Sequence, residues 1–363
     1  MIRERLHKER NHSYSTTLTY NRSITYYEEL TGHTIEECLR IAENEEINNI
    51  HWRNTRTRQW IIQYREWCYE NYNVSTAQLY LTAILTTYRH FELTIPPLPY
   101  YSTKHARRTP PINYSDLPDR QILQECLQIA SPLAKSIILF MSSSGVSRVD
   151  TMNLTIGKYL EATGPYHNHQ ESVKYAIKDM RDSDVDIVPI FHLSRQKTGQ
   201  SYFTFCSHEA VKSINSYLLT RTEILHRDRP LFKINPRYFN MIFERLNTYF
   251  QLGKVGNYNR LTPHTLRKYQ ASQLAAAGMS TEHINLLQGR KLQGIAHQHY
   301  IRINPETLRE EYIEALPYIV VEEINKFRTE NEILKEENTE YKNRLDKFDN
   351  IIKRLEILEQ SKP

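Results

Sequence analysis

Pro263-His264-Thr265-Leu266-Arg267-Lys268-Tyr269 carries a His-x-x-Arg pair. About three dozen residues further on comes Ala296-His297-Gln298-His299-Tyr300-Ile301-Arg302. Toward the N-terminus lie Lys197, in Gln196-Lys197-Thr198-Gly199, and Arg148, closing Ser143-Ser144-Gly145-Val146-Ser147-Arg148. Two arginines suit the non-bridging oxygens of a phosphodiester, because each guanidinium offers parallel donors and stays charged. A lysine or histidine can move protons at the attacking or leaving oxygen. A tyrosine can act as a covalent nucleophile. Together these groups form the inventory for cutting a DNA strand without a metal ion.

In this order and at these distances the motifs resemble those of the tyrosine recombinase (integrase) family, over about residues 20 to 318. Ser-Gly-x-Ser-Arg, then Asn153-Leu154-Thr155, then Lys-Thr-Gly and a long tail after the tyrosine are nearest to the archaeal members. The resemblance implies a role for each residue. Arg148 and Arg267 would clamp the phosphate, and Lys197 would protonate the departing 5′-oxygen. His264 would take the tyrosine proton or hydrogen-bond the phosphate, and Tyr300 would attack. Lys268 would assist on the DNA backbone. Arg195 and Lys212 compete locally with Lys197, and Tyr312 and Tyr318 compete with Tyr300. Two departures stand out. The arginine motif has one extra residue between Gly145 and Arg148. The family usually has Gly-His, or a tryptophan, roughly nine residues before the tyrosine, whereas this chain reads Leu287-Gln288-Gly289-Arg290-Lys291. Arg290 is the sixth catalytic candidate, with Lys291, His297 and His299 as alternatives.

The implied activity is site-specific DNA recombination through a 3′-phosphotyrosine, in the integration or excision of a mobile element such as an archaeal virus or plasmid. A replicon-dimer resolvase of the same family and a sequence-specific DNA-binding protein without chemistry are the alternatives. Double-stranded DNA is the implied partner, bound by a homo-oligomer, a tetramer on DNA. The reaction needs no cofactor: no Walker or dinucleotide glycine motif occurs, which fits energy-neutral transesterification. No metal site is expected, since His297-x-His299 finds no carboxylate or cysteine partner by spacing.

Composition sets the outer bounds. The 363 residues suffice for two domains and an extension, and no apolar run reaches membrane-spanning length. The charged start, Met1-Ile2-Arg3-Glu4-Arg5-Leu6-His7-Lys8, lacks a signal-peptide core, so a cytoplasmic, nucleoid-associated protein is expected. Cys38, Cys68, Cys126 and Cys206 are far apart and read as buried thiols. Net charge is +5; residues 321–363 hold nine Lys/Arg and eleven Asp/Glu, leaving +7 on the rest. That is a modestly basic body, compatible with phosphate binding.

The patterning predicts a mainly α fold with a small antiparallel sheet. Residues 1–17 read as a flexible tail and 18–98 as a helical core-binding bundle of about four helices. Apolar residues there recur at three- and four-residue steps, as in Trp60, Ile61, Tyr64, Trp67 and Cys68. Residues 99–113 read as a Pro-rich linker whose Lys104, Arg107 and Arg108 lie along a DNA backbone. Residues 114–318 form the catalytic domain, with strands expected at Asp184–Ile190 and Tyr202–Phe205 and a helix from Glu209 to Leu218. The tail, 319–363, carries heptads: Val320, Phe327, Leu334, Tyr341, Phe348 and Leu355 at d, Ile324, Asn331, Asn338, Leu345 and Ile352 at a. This predicts a dimerising coiled coil, with the asparagines favouring two strands.

Overall fold

The computed structural model describes residues 2–108, 110–169, 172–183, 185–256, 258–290 and 304–322. The chain divides into two units, Met1–Pro111 and Ile112–Pro363.

The first unit contains α1 (Ile2–Glu9), α2 (Tyr14–Thr31), α3 (Ile35–Ile47), α4 (Arg56–Asn71) and α5 (Val74–His90). Side chains start the helices where the sequence offers cap residues. Ser13 and Asn73 accept backbone N–H groups of the first turns they precede, and Thr34 and Glu37 form a capping box. Gly32, at φ +70, ends α2. Between α2, α4 and α5, Ile24, Tyr27, Ile61, Tyr64, Cys68, Ile84 and Tyr88 are fully buried. Buried phenols need partners, and they have them: Tyr27 and Tyr88 share a hydroxyl bond of 2.9 Å, and Tyr64 donates to the Ser23 carbonyl at 3.0 Å.

Two expectations for this unit are corrected. The first 17 residues are not a loose tail. Leu6 is fully buried in the bundle core, Arg3 pairs with Glu28, and His90 Nε2 lies 2.9 Å from Glu9 Oε2. Leu6, with Ile2 partly buried against the same core, and a few polar contacts dock α1, too sparse an apolar signal for periodicity to detect. The Pro-rich stretch, in turn, follows the surface of its own bundle over most of its length. Arg58 Nε donates to the Pro97 carbonyl at 2.9 Å and Arg65 Nη1 to the Pro99 carbonyl at 2.7 Å. Tyr101 stacks on Tyr69 at 5.0 Å and lies under the Arg65 guanidinium at 4.8 Å. Val74 N–H donates to the Arg107 carbonyl at 3.0 Å. Proline keeps its carbonyl, and the arginines of α4 use it.

The second unit is mainly α with small antiparallel pairs of strands, as its patterning predicts. It contains α6 (Arg120–Ile129), α7 (Pro132–Ser144), α8 (Arg148–Met152), α9 (Ile156–Ala162), α10 (Val173–Asp182), β1 (Ile190–Ser194) and β2 (Ser201–Phe205). These are followed by α11 (His208–Thr220), α12 (Pro236–Tyr249), β3 (Lys254–Val255), β4 (Tyr258–Asn259), α13 (Pro263–Ala276) and α14 (Thr281–Leu287), then by helices Pro305–Glu314 and Leu316–Ile319. α7 packs against α11 and α13 and is buried from Ser136 to Ser144. Its serines tolerate this by bonding back to their own helix, Ser143 to the Leu139 carbonyl at 2.7 Å and Ser144 to the Phe140 carbonyl at 2.6 Å.

The expected helix from Glu209 lies within α11. The first expected strand is displaced: β1 starts at Ile190, where Ile190 pairs with Phe205 and Ser194 with Ser201. Pro189 has no N–H to give a ladder, so the pairing starts after it. The β3–β4 pair escaped the sequence reading because each strand has only two residues.

The unit also runs past the expected domain end at 318. Val320 and Val321 are fully buried in its core. Glu209 accepts the N–H groups of Val321 and Glu322 at 2.7 and 2.8 Å, and Gln124 donates to the Val321 carbonyl at 2.6 Å. Val320 therefore belongs to this core and not to a heptad seam; the heptads from Ile324 onward lie outside the described residues. Among the described residues no helix is long and apolar enough to cross a membrane. All four cysteines are free and buried, and burial pushes the Cys38 thiol up to about 11 and those of Cys68 and Cys126 to about 12.

Candidate active site

Two helix starts and one helix end build the site. α7 stops at Gly145, whose φ of +64 turns the chain, and Ser147 then caps α8 so that Arg148 is its first residue. Arg148 Nη1 donates to Asn240 Oδ1 on α12 at 2.8 Å. Thr262 and Thr265 cap α13 and Pro263 occupies its first turn, which suits proline because no helical N–H is lost there. This start presents His264 at the surface and carries Arg267 inward, where it is 6% exposed. Arg148, His264 and Arg267 line one recess of about 960 Å³, with Ser147, Lys254, Tyr258 and Glu244 also on its wall. Three of the residues singled out by the sequence are thus brought together from α8 and α13.

The recess is electrostatically unbalanced. Arg267 is pushed down to about 10, first by desolvation and then by the charges of Arg195 and Arg290; Tyr202 and Asp150 act the other way. Arg290 is lowered by desolvation and then by Arg195. The imidazole of His264 is lowered first by desolvation and then by Lys268, Arg267 and Arg290. His264 is therefore held neutral at neutral pH and keeps a lone pair for a proton. Arg195 and Arg290 thus crowd positive charge around Arg267 at the back of this recess, and such unbalanced charge favours an anion. A phosphodiester with oxygens to spread over several donors is such an anion.

Lys197 does not line this recess. It is exposed in the loop between β1 and β2, where Gly199 takes φ +67 and its N–H donates to the Arg195 carbonyl at 2.8 Å. Its neighbour is anchored: Gln196 N–H donates to Asp150 Oδ1 at 3.0 Å, which ties the loop to α8. Asp150 is 7% exposed and also accepts the Ser147 hydroxyl at 2.7 Å. Lys268 is half-buried beside His264, while Lys104, Arg107 and Arg108 are exposed and make no ion pair among the described residues. Lys212 lines a separate recess between α10 and α11.

The rival nucleophiles separate. Tyr312 is fully buried, donates to the Ser143 carbonyl at 3.0 Å, and has its pKa raised well above the usual phenol value by burial. A core phenol without access to solvent cannot attack a duplex. Tyr318 is 45% exposed. Tyr300, Lys291, His297 and His299 lie outside the described residues.

Sequence reasoning missed Gln270 and Gln288 behind Arg267, and it weighed Arg195 only as a rival of Lys197. Arg195 Nη1 donates to the Gly289 carbonyl at 3.1 Å. Gln270 and Gln288 are fully buried next to Arg267. A glutamine carries no periodic or motif signal, so only the fold reveals them. Gly289 is more legible: it sits in the left-handed region (φ +58) after α14, with Arg290 N–H donating to the Asn285 carbonyl at 2.9 Å, a Schellman close. A Cβ there would meet the Tyr202 ring at 2.7 Å. Gly289→Ala is expected to cost about 1–3 kcal/mol in chemical unfolding. Gly253→Ala, at φ +74 and with nothing within 4 Å of its Cβ, isolates the backbone part. Equal losses in the two variants would show that the Tyr202 contact contributes nothing.

The structure aligns with that of the Tn1549 transposon integrase in complex with a circular intermediate DNA. In one form the alignment covers 85% of this chain and 97% of that one, at 13% identity and TM-score 0.51. In a second it covers 87% and 98%, at 13% identity and TM-score 0.50. The fold is that of a tyrosine-recombinase catalytic domain. The XerA recombinase aligns over 86% of this chain and 95% of its own, at 18% identity and TM-score 0.34. No family model matches the sequence, and no curated protein matches it.

Proposed function

We propose that the protein is a site-specific DNA recombinase that cuts and rejoins strands through Tyr300. The Tyr300 oxygen bonds to the scissile phosphorus as the bond from phosphorus to O5′ breaks. The tyrosine proton passes to His264, and Lys197 gives a proton to the departing oxygen. A 3′-phosphotyrosyl link and a free 5′-hydroxyl result, and attack by a 5′-hydroxyl reverses the step. The observation that carries this reading is the set of mutually repelling cations around Arg267, with Arg148 and His264 on the same recess wall. Its fold likeness to an integrase solved on a circular DNA intermediate supports it. Integration or excision of a mobile element is the biological setting that the archaeal-type motifs favour. Arg290, where the resembling family has histidine, favours a second reading: a binding protein on this scaffold without chemistry.

A nicked suicide duplex carrying a site selected from random-sequence DNA separates the two. The enzyme traps itself as a covalent adduct because the short 5′-end diffuses away; a binding protein shifts the duplex and leaves no adduct. Binding itself should be strongly salt-dependent, with a log–log slope of about −0.9 per phosphate neutralised, Lys104, Arg107, Arg108 and Lys268 each contributing. Replacing one of these by alanine is expected to reduce the slope by about 1. An unchanged slope places that residue off the DNA.

We also propose that the heptads beyond the described residues join protomers in the DNA-bound tetramer. Because Val320 and Val321 are core residues, the truncation that tests this ends at Glu322. The shortened protein is expected to cleave nicked duplex normally, to self-associate more weakly in sedimentation, and to lose recombination. Unchanged self-association and recombination would remove the tail from assembly.

A further inference from the structure

We infer that Gln270 and Gln288 are positioning residues that set the guanidinium of Arg267; the inference rests on the functional reading above. Arg267 Nη1 donates to the Gly145 carbonyl at 2.5 Å, and Nη2 donates to the Gln288 carbonyl. In return Gln288 Nε2 donates to the Arg267 carbonyl at 2.9 Å, and to Gln270 Oε1 at 2.7 Å. Both N–H groups of the Gln288 amide are therefore spent on holding this corner. The pair also abuts the turn that supplies the other carbonyl: a Cβ on Gly145 would lie 2.5 Å from Gln270 Oε1 and 3.1 Å from Gln288 Nε2. Gly145, Arg267, Gln270 and Gln288 thus form one hydrogen-bonded chain packed together by the end of α7, the inner face of α13 and the end of α14.

The cost of the arrangement points to a use. Gln270 and Gln288 are fully buried, and Gln270 Nε2 and Gln288 Oε1 find no hydrogen-bond partner among the described residues, which makes these amides expensive. Leucine at both positions would fill similar volume without that cost. What leucine cannot do is fix the Gln288 backbone carbonyl through a side-chain bond to Arg267. Nor could it brace Gly145. The guanidinium needs such restraint, because Arg195 and Arg290 repel it and would favour its swinging away. The two carbonyls take one N–H from each terminal nitrogen, which leaves the Nε–H and one N–H on each terminal nitrogen for an anion.

The test uses full-length protein, the selected nicked duplex, and the same duplex with a methylphosphonate at the scissile position. A methylphosphonate lacks one non-bridging charge, so cleavage of it depends less on Arg267. Gln288→Leu is expected to slow single-turnover cleavage of the phosphodiester by up to about 10²-fold, the order that a misplacement of about 1 Å costs. On the methylphosphonate the deficit should shrink to near unity, with duplex affinity unchanged, while Tm falls because Gln270 Oε1 loses its donor. The double variant Gln270→Leu/Gln288→Leu, which leaves no orphaned amide, should restore or raise Tm without restoring cleavage. Equal deficits on the two substrates, or wild-type cleavage in both variants, overturn the inference. A parent protein that forms no adduct fails the functional reading instead. A separate arm then still decides the positioning: with 15N-arginine labelling, exchange of the Arg267 Nε–H should be faster in Gln288→Leu than in the parent. Unchanged exchange sinks the inference whatever the chemistry.

Discussion

Tyr300→Phe is expected to bind duplex DNA within a few-fold of the parent and to form no covalent adduct. The two effects separate for a physical reason. Affinity comes from many phosphate contacts spread over basic side chains, and no single phenol contributes much to it. Adduct formation needs one oxygen nucleophile, and phenylalanine has none. The expected loss is therefore complete, while the loss of binding is small. The structure narrows the alternatives, because Tyr312 is a core residue bonded to the Ser143 carbonyl. Residual adduct in Tyr300→Phe would leave Tyr318, which is 45% exposed, as the next candidate. Tyr300→Phe/Tyr318→Phe would then decide between them.

Arg267→Ala is expected to reduce single-turnover cleavage by on the order of 10²–10³, the usual cost of one contact that stabilises transition-state charge. Alanine also leaves the Gly145 and Gln288 carbonyls without their donor, at about 1–3 kcal/mol for each buried orphan. Part of any loss could therefore be structural, and Arg267→Lys provides the control. Lysine keeps a positive charge but cannot span two carbonyls and a phosphate with one ammonium. If Arg267→Lys folds with the parent's Tm and still cleaves slowly, the geometry of the guanidinium is what matters. Arg148→Ala should lose a comparable factor with little loss of stability, since among the described residues its hydrogen-bond partner is a single side chain, Asn240. Cleavage within twofold of the parent would remove either arginine from the site.

Much of the fold was legible because it is written locally. Helical periodicity in α4 and α5 lies within a few residues of what it specifies. The recess residues Arg148, His264 and Arg267 were legible as motifs. The illegible parts depend on long-range contacts. Arg267 reaches a carbonyl 122 positions away, and the Asp150 anchor of the Lys197 loop spans 46 positions. No local pattern encodes such pairings. The start of β1 depended on the missing N–H of Pro189, which periodicity treats as one more apolar position. The docking of α1 rests on Leu6 and Ile2, and Val321, next to Val320, is held by Glu209, more than a hundred residues earlier. In the heptad count Val320 looks like a seam residue because it is apolar at the right interval. Interval alone does not distinguish a seam from a core.

The central claim is that Tyr300 forms the bond to phosphorus. The most direct measurement is mass spectrometry of the adduct trapped on a nicked suicide duplex, after nuclease digestion to a short nucleotide remnant and proteolysis of the protein. The remnant is expected on the peptide containing Tyr300, joined through a 3′-phosphate, with the released DNA ending in a 5′-hydroxyl. A remnant on any other residue, or a stable complex with the selected duplex that yields no covalent species, would contradict the account.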